Sequence, residues 1–275
     1  DWKELIADED AEYSRIIKIN LSNIVPMAAC PHMPDEVIEL SEIAGKKVDQ
    51  VVIGSCTNSS INDLGVAADL LENNIVSRNT ALGIAPGSRQ VLENAIDAGI
   101  IPKLVKSGAR ILESACGPCI GMGFAPCSKG VTVRTFNRNF KGRSGTKDAE
   151  VYLVSPETAA AAAISGKFTD PRSLRKVKKR DYSSYIKPDE SMIIPPLSPD
   201  KAEKVKIIRG PNIQPCPKAD PVAEKLEAKI LLKTEDNITT DHIMPAGAKI
   251  LPLRSNIPAI SQHVFEAVDP NFARK

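Results

Sequence analysis

Two patterns of apolar residues alternate along the middle of this chain: short β-branched runs, and apolar positions at helical spacing. Val48, Val51, Val52 and Ile53 mark residues 48–53 as a buried parallel strand. Ser59 or Ser60 can then cap a helix outlined by Leu64, Ala67, Ala68 and Leu71. Residues 81–85 predict a second strand, with a helix after Pro86-Gly87-Ser88, and residues 109–112, 131–136 and 152–154 predict three more strands. The last helix is marked at both ends: Ser155 caps it, Pro156 takes its first position, five alanines fill it and Gly166 closes it. Such alternation predicts a mainly parallel sheet covered on both faces, a three-layer α/β/α domain over residues 1–171.

The flanks are less regular. Residues 1–45 hold an acidic start, a possible strand at 16–21 and a loop marked by Pro26, Pro31 and Pro34. His32 lies in that loop and reads as structural or solvated. After Pro171 comes a basic run of Arg172, Arg175, Lys176, Lys178, Lys179 and Arg180, then Pro188, Pro195, Pro196, Pro199, Pro211, Pro215 and Pro217. Proline-rich chain lies extended, so residues 172–226 are expected to be a linker. A strand at 228–232 would open a smaller unit, residues 227–275. The basic run lacks interleaved aromatics, which favours a hydrated segment over a nucleic-acid site.

Composition narrows the class only a little. A net charge of +2 gives no reason to expect a polyanionic partner. Neither a run of about 18 apolar residues nor a signal-peptide pattern occurs, so an intracellular, cytoplasmic protein without a membrane partner is expected. Six cysteines in 275 residues are too sparse for a disulfide framework and fit a reducing compartment.

Three of those cysteines carry the chemistry. Cys56 lies in Gly54-Ser55-Cys56-Thr57-Asn58, just past the first strand, and Cys116 and Cys119 lie in Ala115-Cys116-Gly117-Pro118-Cys119, past the strand at 109–112. A third strand end delivers Asn137-Arg138-Asn139-Phe140-Lys141-Gly142-Arg143. Open α/β sheets bind ligands at such strand ends. Three thiolates suit a structural zinc site with Cys127 as a further ligand. They suit better a four-iron cluster in which one iron lacks a protein sulfur and acts as a Lewis acid. Arg138 and Arg143 would bring permanent charge and a planar fork suited to carboxylates.

Together, Gly-Ser-Cys-Thr-Asn-Ser, Ala-Cys-Gly-Pro-Cys-Ile-Gly and Asn-Arg-Asn-Phe-Lys-Gly-Arg resemble the motifs of the aconitase superfamily over roughly residues 15–172. A looser resemblance resumes at Asp236-Asn237-Ile238-Thr239-Thr240-Asp241-His242, similar to the start of that family's swivelling C-terminal domain. The resemblance implies a 4Fe-4S cluster on Cys56, Cys116 and Cys119, with Asn58 and Asn137 beside it. It implies substrate contacts from Arg138, Arg143, Asp241 and Arg254, although Asp241 could instead cap a turn. The activity implied is that of a hydro-lyase on a hydroxy-tricarboxylate, interconverting citrate and isocitrate.

Two departures qualify that expectation. The family's glycine–serine–serine–arginine segment, which carries its catalytic serine, does not occur, and nothing matches its two N-terminal domains. The chain is therefore expected to be an internal piece, inactive alone, whose partners are the missing domains of the same enzyme. Continuity into residues 227–275 favours a single-chain aconitate hydratase over isopropylmalate dehydratase, whose swivelling domain is a separate chain; a homoaconitase or isopropylmalate dehydratase fragment is the alternative. A noncatalytic metal-binding or RNA-binding module is the remaining alternative, since superfamily members can bind RNA once the cluster is lost.

Overall fold

The computed structural model describes residues 3–174, 181–247 and 249–275. Among them, seven strands form one mixed sheet: β1 (Met27–Ala29), β2 (Val37–Glu39), β3 (Gln50–Gly54), β4 (Ala81–Ala85), β5 (Arg110–Ile111), β6 (Val131–Arg134) and β7 (Glu150–Leu153). Their spatial order is β2-β1-β7-β6-β3-β4-β5. The five strands from β7 to β5 run parallel, while β1 is antiparallel to both its neighbours.

Three of the four helices on the sheet, α1, α2 and α4, follow the expected punctuation. Ser60 and Asp63 form a reciprocal capping box on α1 (Ile61–Leu71), and Ser88 caps α2 (Arg89–Asp97). Helix α3 is Ile100–Lys106; α4 (Pro156–Ser165) starts on Ser155 and ends on Gly166 at φ 70°. Helix α1 packs against the other three. Val51, Ile53, Leu82, Ile84, Val133 and Tyr152 point from the sheet into this layer and form the main core.

Chain direction explains the opposite face. From β3 the path moves through β4 to β5, whereas β6 and β7 lie on the other side of β3. Crossovers between parallel strands are right-handed, so connections travelling back toward β7 pass over the face opposite the helices. Loops 113–130 and 137–149 make those connections and form the third layer, over a small cluster of Val52, Ala85, Leu112 and Phe136. The motifs therefore cover the second face themselves, through loops and a 3-10 turn at Pro118–Ile120.

Four local expectations are corrected. Residues 16–21 form no strand: Ile16, Ile17 and Ile19 are exposed and lack a neighbouring strand to satisfy the backbone. The proline-marked loop instead contains the β1–β2 hairpin, whose strands are too short to show alternation. Residues 228–232 are likewise irregular and exposed. Helix α3 went unread because it is brief and carries Pro102 in its first turn.

Residues 181–226 are mostly irregular and exposed, but their start is anchored. The Tyr182 ring is buried against Gly65 of α1, and Gln90 donates to the Lys187 carbonyl at 2.9 Å. Of the basic run, residues 175–180 lie outside the described residues, and Arg172 pairs with Asp170 at 2.7 Å. No helix of the described residues is long and apolar enough to cross a membrane.

Candidate metal and substrate site

The site forms where β3 and β6 lie side by side and their onward connections diverge, the sheet's topological switch point. Gly54 ends β3 at φ 120°, and a Cβ there would sit 2.1 Å from the Ala85 carbonyl oxygen, so only glycine fits. Ser55, also at positive φ, donates its N–H to that oxygen at 2.8 Å. This sharp turn leaves Cys56 exposed beyond the strand. Asn58 Nδ2 donates to the Thr135 carbonyl at 2.5 Å, and Gly54 N–H donates to Thr135 Oγ1 at 2.8 Å. Asn58 thus ties the two strand ends together.

Cys116 and Cys119 arrive from β5 on the Pro118–Ile120 turn, closed by the Cys119 N–H to the Cys116 carbonyl at 3.2 Å. Cys116 is exposed and Cys119 half-buried. Burial pushes the Cys119 thiol up, as do its neighbours Cys116 and Cys56, against the lowering effect of Arg134 and Arg143. Among the described residues no three of Cys, His, Asp or Glu stand close enough to hold a single metal ion. Four Zn–S bonds would draw the sulfurs to within about 4 Å of one another. A cluster binds each thiolate through a different iron and does not require the sulfurs to meet that closely. Cys127, the further zinc candidate, lies with its sulfur over Gly130 and is not among the groups acting on Cys119.

On the loop after β6, Asn137 and Arg138 are exposed and Asn139 is fully buried. Asn139 Nδ2 donates to the Cys30 carbonyl at 2.6 Å and the Val151 carbonyl at 3.2 Å, anchoring the loop to β7 and the β1–β2 hairpin. Arg143 Nη1 meets Asp241 Oδ1 at 2.8 Å, while its buried Nε has no hydrogen-bond partner. Asp241 does not cap its turn; the His242 ring does, accepting the Thr239 N–H at 3.0 Å. Arg254 lines a cleft of about 780 Å³ together with Cys116, Arg110, Glu113 and Leu251.

One residue the motifs did not single out lies beneath this site. Arg134 is fully buried, and burial lowers its guanidinium to about 10. The alternation of Thr132, Arg134 and Phe136 with Val131 and Val133 places it on the loop-covered face, a signal present in the sequence.

Comparison with known proteins agrees with this geometry. Residues 41–166 match the aconitase family (aconitate hydratase). The large subunit 2 of 3-isopropylmalate dehydratase from Archaeoglobus fulgidus is 45% identical over 173 residues, 62% of this chain and 42% of the relative. The homoaconitase large subunit of Thermus thermophilus is 44% identical over 177 residues, 64% of this chain and 42% of the relative. The 3-isopropylmalate dehydratase large subunit of Clostridium beijerinckii is 44% identical over 172 residues, 62% of this chain and 41% of the relative. The α/β domain of this chain is thus similar to that of aconitase-superfamily proteins. The chain spans about two-fifths of the length of the curated relatives it matches.

Proposed function

We propose that this chain supplies the cofactor-holding domain of a hydro-lyase acting on a 2-hydroxy acid, of the isopropylmalate or homoaconitate type. The observation that carries it is topological: Cys56 follows β3 and Cys116 and Cys119 follow β5, parallel strands on either side of β4, so the three cysteines leave the sheet at the same end. The relatives' names support these substrates better than the citrate and isocitrate expected above. Aconitate hydratase is kept as a second reading on one observation: Asp241, from the segment resembling a swivelling domain, is continuous with this chain and pairs with Arg143.

A 4Fe-4S cluster held by Cys56, Cys116 and Cys119 would supply a Lewis acid for the substrate hydroxyl. The protein's own part is orientation. Asp241 orients the Arg143 guanidinium through Nη1, and a substrate carboxylate met by its outer donors would be a contact worth about 1.5–3 kcal/mol. Arg254, which lines the cleft with Cys116, and the exposed Arg138 are proposed to take further carboxylates. Asn58 and Asn137 fix or flank the cysteine loops. No residue described above serves as the base for the C–H proton, so the remaining domains of the enzyme are the proposed partners. Residues 1–171, 172–226 and 227–275 are proposed as core, linker and start of a swivelling unit.

Anaerobic reconstitution of the chain with iron and sulfide tests the cofactor assignment. Cys56→Ser, Cys116→Ser and Cys119→Ser should each abolish the brown chromophore, and Cys127→Ser should keep it. Colour lost in the Cys127 variant would reveal a fourth protein thiolate and remove the open iron. Spectral titration of the loaded chain with 3-isopropylmalate, homoisocitrate and citrate then separates the substrates; tighter binding of citrate would return the second reading.

A further inference from the structure

We propose that Arg134 is the positioning residue of the three-thiolate site: its buried guanidinium pins the Cys116–Cys119 turn to the sheet and supplies the positive charge that the anionic sulfur centre balances. The inference rests on the assignment of Cys56, Cys116 and Cys119 as ligands and goes beyond it, since Arg134 lies outside all three motifs.

The geometry is that of a bracket. Arg134 rises from β6 with no exposed surface. Its Nη1 donates to the Pro118 carbonyl, inside the cysteine turn, and its Nη2 to the Phe124 carbonyl at 3.2 Å and to Gln50 Oε1 at 2.9 Å. Nε donates to Thr132 Oγ1 at 3.3 Å, and the guanidinium stands 5.3 Å from the Phe136 ring centre. Gln50 extends the bracket, donating from Nε2 to the Ala125 carbonyl at 3.0 Å. One planar group thus holds two points of the loop carrying two thiols, Pro118 and Phe124, which a lysine, a point charge without a fork, cannot reproduce.

Every one of those acceptors is neutral. No carboxylate pairs with Arg134 among the described residues, and the ionisable group that acts on it is the Cys119 thiol. A buried cation without a counter-ion is strongly unfavourable, so the arrangement is balanced when negative charge sits on the thiolate side. A cluster with its cysteine thiolates brings that charge to the one place where the bracket lacks it. Net charge and hydrogen bonding around a cluster set its reduction potential, which makes the role measurable apart from turnover.

The test uses the full chain carrying Arg134→Lys, Arg134→Met or Gln50→Ala, each checked for folding by circular dichroism. Each is reconstituted anaerobically and assayed for iron per chain and for midpoint potential by redox titration. Lys keeps the charge and loses the fork, so loading should fall while the potential stays near wild type. Met loses both, so loading should fall and the potential should become more negative. Gln50→Ala removes a neutral acceptor and should lower loading alone, which keeps the positioning claim testable if the Met variant does not fold. A Met variant that loads like wild type, or a Met variant that loads less but keeps the wild-type potential, overturns the proposal. A wild-type chain that takes up no cluster fails the ligand assignment itself, and the proposal falls with it.

Discussion

Arg143 and Asp241 lie 98 residues apart in sequence and meet at 2.8 Å, joining the motif loop after β6 to the segment 239–275. Both side chains are mostly covered, at 11% and 23% exposure. Between the value of an exposed pair and that of a buried one, the coupling should be about 1–2 kcal/mol. A double-mutant cycle of Arg143→Met and Asp241→Asn by urea unfolding measures it. Hydrogen exchange should also rise in residues 239–244 of the Asp241 variant. Additive effects, with no coupling, would mean the two segments are held together by other contacts.

Gly54→Ala should be among the most damaging single-methyl changes in the chain. The new Cβ meets the Ala85 carbonyl, which is backbone and cannot swing aside, at a φ that disfavours any side chain. A loss of more than about 3 kcal/mol is expected in urea unfolding. A variant within 1 kcal/mol of wild type would show that the β3 turn has another route, and with it that Cys56 is less rigidly placed.

Gly65→Ala should change sign with its background. In the wild type its Cβ would come 2.2 Å from the Tyr182 ring, which overpacks the slot and should cost about 1–3 kcal/mol. In a Tyr182→Ala background the slot is empty, and alanine in a helix interior should stabilise by up to about 1 kcal/mol. Thermal melts of the four proteins decide it. The same destabilisation in both backgrounds would show that Tyr182 does not occupy the slot in solution.

Glu150 accepts from Lys46 and, at 3.0 Å, from Tyr152. The Lys46 hydrogen bond is the chief cause that holds the Glu150 carboxyl below its usual range. Its contribution to stability is therefore present above the unfolded value, about pH 4.3, and lost as pH falls through the lower folded value. Burial opposes the charge on Lys46, but its bonds to Glu150 and Tyr152 outweigh that and raise it, so the base side is lost only above about pH 10.4. The side chains are 35% and 44% exposed, so screening keeps the total below about 1 kcal/mol. The stability difference between wild type and Glu150→Gln should be flat from about pH 5 to 9 and shrink below about pH 4. A difference growing toward acid would refute the assignment.

Local chemistry made much of the α/β unit legible in sequence. Ser60, Ser88 and Ser155 cap helices because a side-chain oxygen can satisfy an N–H two or three residues on. Val51, Val52 and Ile53 announce a buried strand because a continuous β-branched run needs cover on both faces. The cysteine and arginine motifs named the strand ends where ligands gather, a consequence of parallel topology. Strands at 16–21 and 228–232 failed on the same principle in reverse: an apolar run becomes a strand only if another edge pairs with it, and these found none.

What the tertiary structure alone decided is which distant groups face one another. Strand order cannot be read from alternation, and it is the order β7-β6-β3-β4-β5 that sends the cysteine and arginine loops across the same face. Asp241 in sequence was as good a cap as a partner; only the fold brought Arg143 to it and left capping to His242. Arg134 read as one residue of a strand until burial stripped it of water and of any carboxylate. The physical reason is common to all three: sequence patterns report forces between near neighbours and water, whereas Coulomb interactions and desolvation depend on distances that exist only once the chain has closed.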